Sequence, residues 1–150
     1  MNLKNQIDAD IKKAMLAKQK DELTALRAIK SAILLAETAS GAKKELTEED
    51  GLKLLTKAVK QRKDSAELFQ KEGRTDLADK EKLEYEIISR YLPEQLTEEE
   101  LKAVIEKIVT DTGASGMQDM GKVMGMATKA LAGKAEGKAI SIMVKSLLAG

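Results

Sequence analysis

The chain of 150 residues contains no cysteine, no histidine and no tryptophan. Without cysteine it has no disulfide, no thiol nucleophile and no thiolate ligand for zinc. Without histidine it has no imidazole base, and it lacks the Glu-x-x-His pairs that hold di-iron centres in helical bundles. These absences exclude the commonest catalytic triads and metal sites. We therefore expect no bound metal, no cofactor and no catalytic residue of these types.

Aromatic residues and proline are also scarce. The chain has one phenylalanine, two tyrosines and a single proline, Pro93. Its core must therefore be aliphatic, and the many Lys, Glu and Ala residues with few turn residues favour helix. We predict an all-α fold. So few rings also argue against nucleic-acid binding by base stacking.

The chain has a formal net charge of only +1, and it lacks long apolar runs. Its 26 basic residues nearly balance its 25 acidic residues, so bulk attraction to nucleic acid or membrane is not implied. No apolar run approaches the roughly 20 residues that span a membrane, and the N-terminus mixes acids and bases with no apolar signal segment. These features predict a cytoplasmic protein with no membrane association.

Apolar residues recur at three- and four-residue steps and predict seven helices. We predict a four-helix hairpin-type domain over residues 1–92, a joint at 93–96 that contains the proline, and a three-helix domain over 97–150. Side-chain type also predicts helix ends. The predicted N-caps are Asp21, Thr47, Thr75 or Asp76, Thr97 and Ser115, and the predicted C-terminal glycines are Gly73 and Gly113.

Two arginines of the first domain are candidate anion-binding residues. Arg62 follows the apolar stripe of the third helix, where an unpaired charge is costly. We therefore expect Arg62 to form an ion pair with Glu84 or Glu81, or else to bind an anion as part of the function. Arg74, in the following turn, is the second anion-binding candidate. Arg27 is expected to have a structural partner for the same reason.

The last third of the chain is locally basic. Segment 97–112 has two lysines and five acidic residues, a net charge of −3, whereas segment 113–150 has five lysines and two acidic residues, a net charge of +3. Four of these lysines are candidate RNA- or anion-binding residues: Lys122, Lys129, Lys134 and Lys138. Gly121 and Gly125 lie one helical turn apart beside them, which indicates either close helix packing or backbone open to a phosphate or partner. The methionines of the sixth helix indicate adaptable core or a protein-binding groove.

Several segments together resemble the YqeY-like family. The match runs in order along nearly the whole chain, through LRAIKSAI (26–33), QRKDS (61–65), GRTDLADKE (73–81), YLPEQL (91–96), MGKVMG (120–125) and GKAEGK (133–138). One departure is Glu136, where the family pattern has Asp. A shorter acid would cap the last helix better.

The YqeY-like family is similar to the tail region of the B subunit of tRNA-dependent amidotransferases. This resemblance implies a two-part helical protein whose tail holds tRNA while the chemistry occurs elsewhere. The label of a carbon–nitrogen ligase with glutamine as nitrogen donor would then be inherited by analogy. The expected partner is tRNA or another structured RNA, and the alternatives are a protein-interaction adaptor and an amidotransferase-related enzyme.

Overall fold

The computed structural model describes residues 2–39, 41 and 44–149 of the chain, and this part is helical with no strand. The predicted all-α class is confirmed. The helices are α1 (Leu3–Leu16), α2 (Lys20–Thr38), α3 (Glu48–Lys71), α4 (Thr75–Ser89), α5 (Glu98–Thr112), α6 (Met120–Ala130) and α7 (Gly137–Ala149), with a 3-10 turn at Met117–Asp119 before α6.

Several helix ends follow directly from side-chain type. The Thr47 hydroxyl accepts a hydrogen bond from the backbone N–H of Asp50 at 3.1 Å, and the Thr97 hydroxyl accepts one from Glu100 at 3.2 Å. Both bonds satisfy a backbone donor that the first helical turn leaves unpaired. Gly73 and Gly113 stand after α3 and α5 with φ of 73° and 68°, a conformation that glycine adopts without steric cost.

Three predicted N-caps are wrong. Helix α2 begins at Lys20 after Gln19, so Asp21 lies in its first turn. Helix α4 begins at Thr75, which leaves Arg74 at the N-cap without a side-chain hydrogen bond. Asp21 and Asp76 nevertheless lie in the first turns of these helices, where the helix dipole favours a negative charge.

The third wrong cap is Ser115, before α6. The chain there forms the 3-10 turn first, with Gly116 at its N-terminal end. The Asp119 carboxylate accepts a hydrogen bond from the Ser115 N–H at 3.0 Å. The carboxylate thus accepts from the backbone of Ser115, and the 3-10 turn that follows has no side-chain cap hydrogen bond.

Contacts divide the chain into two compact units, Met1–Leu92 and Pro93–Gly150. In the first unit α3 and α4 form a long antiparallel hairpin, and α1 packs on α2. Its core is aliphatic and includes the fully buried side chains of Ile7, Leu26, Ile29, Ile33, Leu55 and Ile88. The division into two independently folding domains stays a prediction.

The second unit is a bundle of α5, α6 and α7. Its core centres on Leu101, Ile105, Val123, Leu131, Ile140 and Val144. Residues 93–96, which the sequence assigns to a joint, are bonded to this bundle. The Gln95 amide donates a hydrogen bond to the Gly133 carbonyl at 2.6 Å, and the Leu96 N–H donates to the Lys134 carbonyl at 3.0 Å.

Candidate functional site

The outer surfaces of α6 and α7 carry lysine and no carboxylate. Each helix has two lysines, Lys122 and Lys129 on α6 and Lys138 and Lys145 on α7, and Lys134 lies in the connection between the helices. All five are exposed. None of them forms an ion pair with another residue of the described part of the chain. Because α5 has five acidic residues and two lysines, positive charge within this unit is concentrated on the other two helices.

Helical spacing places these lysines in lines along each helix. Lys122 and Lys129 are seven residues apart, so they lie on one side of α6 with Gly125 between them. Lys138 and Lys145 on α7 have the same spacing, with Ile142 between them. Sequence reasoning omitted Lys145 from the candidates, although its spacing from Lys138 was a signal that could have found it.

The α6 backbone is open at both glycines. Gly121 and Gly125 are exposed, and a Cβ built at either position would meet no packed neighbour within 4 Å. Close helix packing therefore does not explain these glycines within the described chain. Glycine in a helix costs about 1 kcal/mol relative to alanine, and no packing contact compensates for it here.

The connection between α6 and α7 has a structural role of its own. Gly133 is buried with φ of 76°, which only glycine adopts readily. Its carbonyl and that of Lys134 accept the hydrogen bonds from residues 95 and 96 described above. The backbone of this segment thus fixes the N-terminal end of the unit, while the Lys134 side chain is exposed.

Arg62 is held within the first unit. Its Nε lies 3.3 Å from Oε2 of Glu84 across the α3–α4 hairpin, and a second nitrogen donates to the Ala58 carbonyl at 3.2 Å. The two charged side chains are only 18% and 14% exposed. Burial, reinforced by the charge of Glu84, raises the pKa of the neighbouring Glu81. Of the two roles predicted for Arg62, the structure shows the interhelical ion pair.

The other two arginines singled out by the sequence, Arg74 and Arg27, are exposed. Arg74 pairs locally with Asp76 at 3.4 Å, and the hydrogen bond from Arg74 holds the pKa of that carboxyl below its usual range. Arg27 forms no ion pair with another described residue, so the expected structural partner is not observed. The structure thus brings the lysine candidates and both glycines together in the second unit, and it leaves the candidate arginines Arg62 and Arg74 in the first.

Among the residues that the structure describes, no group of three or more acidic side chains is arranged to hold a metal ion. None of the described helices combines the length and the apolar character that crossing a membrane requires.

Comparison with known proteins places these features in a family. A family model described as Yqey-like protein matches residues 4–148. The chain belongs to the YqeY-like family. It is similar to proteins named "Altered inheritance of mitochondria protein 41, mitochondrial" from three fungi. The identity is 40% over 116 residues in Clavispora lusitaniae, 39% over 105 residues in Lachancea thermotolerans and 30% over 133 residues in Pyrenophora tritici-repentis.

The aligned segments cover 75%, 68% and 87% of this chain. They span 66%, 55% and 71% of the three relatives, so the first two matches cover less than two thirds of the relative's length. The expected cytoplasmic location is wrong by this comparison, because these relatives are named as mitochondrial proteins. A balanced N-terminal composition was too weak a signal to decide location.

Proposed function

We propose that this YqeY-like protein binds structured RNA, with transfer RNA as the first candidate, and that it performs no chemistry on that RNA. The observation that carries the proposal is the set of exposed lysines on α6 and α7, which have no carboxylate partner among the described residues. Lysines that are free of local partners are available to phosphate groups. The similarity of the family to a tRNA-holding tail region supports the same ligand.

The chemistry of these side chains favours contact with the RNA backbone. Lysine is a point charge that suits phosphate, and contacts to phosphate position RNA without reading its sequence. The exposed glycines of α6 add a strip of uncovered backbone beside Lys122 and Lys129, where a phosphate could approach closely. Base stacking contributes little because the second unit has no aromatic residue.

The test measures tRNA affinity at several salt concentrations, with mitochondrial transfer RNAs included in view of the relatives' names. Each phosphate contact contributes roughly 0.7–0.9 to the slope of log K against log salt. The double substitution Lys122→Ala and Lys129→Ala is expected to weaken binding and to lower that slope by about 1.4–1.8.

The matched control is the pair Lys102→Ala and Lys107→Ala on α5, in the same unit but on its acidic helix. This variant should keep the affinity and the salt slope. Absence of binding at low salt and tens of micromolar protein, or equal loss in both double variants, would rule the proposal out.

A second candidate function is a protein-interaction adaptor, favoured by apolar residues that the bundle leaves outside its core. Met117, in the 3-10 turn before α6, is 43% exposed, and Met126 on α6 is 45% exposed. Ile142 on α7 is 60% exposed. Methionine adapts its shape to different partners. A stoichiometric protein partner that survives nuclease treatment and is lost with Met126→Lys would favour this function over RNA binding.

A further inference from the structure

The end of α1 and the turn into α2, residues 12–20, form an exposed part of the first unit that we call the α1–α2 tip. Residues 15–20 are all exposed. Leu16 is 78% exposed, more than any other large apolar side chain of the described chain, and Met15 beside it is 54% exposed. Single exposed apolar side chains are common on protein surfaces, whereas two adjacent ones at one turn indicate a contact surface.

Lysines surround these two apolar side chains. The α1–α2 tip contains four lysines and no acidic residue, a net charge of +4. Lys12 and Lys13 precede Leu16 by four and three residues, so helical spacing places both of them beside it. The other two follow in the turn and at the start of α2. All four are exposed, and none forms an ion pair with another described residue: Lys12, Lys13, Lys18 and Lys20.

The carboxylates that are near the α1–α2 tip in the sequence leave most of this charge unbalanced. Asp10 accepts the hydrogen bond from the Tyr91 hydroxyl, and Glu22 pairs with Arg90 at 3.0 Å. Asp21 is exposed in the first turn of α2, and including it leaves four lysines and one aspartate, a net charge of +3 over residues 12–21. The excess positive charge at this turn is therefore available to an anionic surface.

The backbone at Lys18 is strained. Its φ is 56°, and it is the only non-glycine residue in the described part of the chain with a positive φ. The turn closes with hydrogen bonds from the Lys18 N–H to the Met15 carbonyl at 3.2 Å and from the Gln19 N–H to the Ala14 carbonyl at 3.0 Å. Glycine usually occupies this left-handed position after a helix. A lysine kept there despite the strain indicates a role for its side chain outside the fold.

We propose that the α1–α2 tip binds to an anionic lipid surface. Leu16 and Met15 enter the boundary between the headgroups and the acyl chains, and the lysine ammonium groups stay level with the lipid phosphates, which their long stems allow. A protein partner for so exposed a turn would have to supply a matching acidic and apolar pocket. A lipid surface supplies negative charge above apolar material without a specific shape.

This contact does not depend on the proposed RNA binding, because it uses none of the lysines of α6 and α7. It also needs no membrane-spanning helix, since only side chains at one turn enter the interface. The near-zero net charge of the whole chain predicts no membrane association. Attraction to a lipid surface, however, falls off within about a Debye length, so the charge that matters is the local charge of the α1–α2 tip.

The first test sediments the full-length protein with vesicles of phosphatidylcholine, either alone or mixed with phosphatidylserine. We expect binding to the anionic vesicles only, and we expect it to weaken as salt screens the lysines. Lys12→Ala combined with Lys13→Ala should weaken binding on the order of twentyfold, from roughly fivefold for each lysine. The matched control is Lys57→Ala combined with Lys60→Ala, two exposed lysines of α3 without a described ion-pair partner.

The variant Lys18→Gly separates a role in binding from a role in folding. Glycine relieves the backbone strain, so the variant should unfold at a higher temperature than the wild type. It should nevertheless bind anionic vesicles about fivefold more weakly, because one ammonium group is lost. A purely structural role for Lys18 would not change stability and vesicle binding in opposite directions.

A fluorescent label tests whether Leu16 enters the interface. Because the chain has no cysteine, one introduced cysteine can carry a polarity-sensitive dye. The dye at Leu16→Cys should emit at shorter wavelength with anionic vesicles, whereas the dye at Leu68→Cys, exposed on α3, should not change. The proposal is overturned by no binding at about 1 mM anionic lipid in low salt, by unchanged binding in the Lys12 and Lys13 double variant, or by a dye at position 16 that responds to tRNA and not to vesicles.

Discussion

At the scale of the residue, the contribution of a charged side chain to the α3–α4 hairpin depends on whether its ion pair is buried. Arg62 and Glu84 are both mostly buried, and their ion pair joins α3 to α4, the pair of helices that forms the long hairpin of the first unit. Exposed pairs such as Lys71–Glu67 lie in water, where ion pairs contribute little. Burial of the charged atoms therefore separates an important ion pair from an unimportant one.

The substitution Glu84→Gln should destabilise the protein. It leaves the Arg62 guanidinium in a partly buried position without an opposite charge, and we expect a loss of about 1–3 kcal/mol in the free energy of unfolding. Urea unfolding at neutral pH measures this. The control Glu67→Gln should leave the midpoint nearly unchanged, and an equal effect of both variants would contradict the assignment.

Tyr91 follows the C-terminal end of α4, and its hydroxyl donates a hydrogen bond to the carboxylate of Asp10 on α1. Burial, and then the bond to Asp10, raise the pKa of Tyr91 well above its ordinary value. An acid whose pKa is higher in the folded state loses protons first in the unfolded state. The stability contributed by neutral Tyr91 is therefore present at neutral pH and is lost as the pH rises above about 10.

Comparison with Tyr91→Phe tests this pH dependence. The wild type should be more stable than the variant at pH 7 by about 1 kcal/mol, the usual contribution of such a hydrogen bond. The difference should shrink above pH 10, as measured by chemical denaturation at each pH. Tyr85→Phe is the control because its hydroxyl has no described partner. A constant difference across this pH range would show that Tyr91 is not protected from ionisation.

At the scale of a helix, α6 combines good core packing with an outer face that disfavours helix. Val123 and Ala127 are fully buried, whereas Gly121 and Gly125 face open space. A residue that lowers helix stability without a packing role is a candidate for function. Gly125 is the better probe of the two, since it lies in the middle of the helix.

Gly125→Ala should therefore stabilise the protein by about 1 kcal/mol, because alanine restricts the unfolded chain and its methyl group meets no neighbour. Under the proposed function it should also weaken tRNA binding by covering exposed backbone. Thermal unfolding and the tRNA titration give the two readouts. Gly113→Ala is the contrasting variant and should destabilise, since its φ of 68° strains any side chain. Higher stability with unchanged affinity would remove Gly125 from the proposed interface.

At the scale of the whole molecule, residues 93–96 decide how the second unit is bounded. Gln95 and Leu96 are bonded to the α6–α7 connection, and Leu96 packs on the core of the bundle. Two family motifs that are far apart in the sequence, YLPEQL and GKAEGK, meet through these bonds. Sequence alone gave no reason to join them.

A fragment that covers residues 93–150 should consequently be more stable than one that covers 97–150. The shorter fragment loses two hydrogen bonds and the burial of Leu96, for which we expect a difference of about 2–4 kcal/mol. Circular dichroism melting curves of both fragments measure it. Equal stability would mean that residues 93–96 are a passive joint, as the sequence-based boundary at 97 assumed.

The sequence alone determined the helical class, the N-caps at Thr47 and Thr97, and the C-terminal glycines Gly73 and Gly113. Each depends on residues within about one helical turn, so spacing and side-chain type suffice. The caps predicted at Asp21, at Thr75 or Asp76, and at Ser115 were wrong because acidic and hydroxyl residues are favourable both at the N-cap and in the first turn. Tertiary contacts decide which of the two positions they occupy. The sequence also contained the lysines and glycines of α6 and α7, but it could not show which of them lacked a partner.

Tertiary structure alone decided which charged side chains are paired and which are exposed. It paired Arg62 with Glu84 and left Arg27 exposed. These outcomes depend on which side chains from distant segments come within a few ångströms of each other. The packing of whole helices sets those distances. Packing also sets how deeply each charge is buried, and burial changes the energy of a charge far more than its neighbours in sequence do.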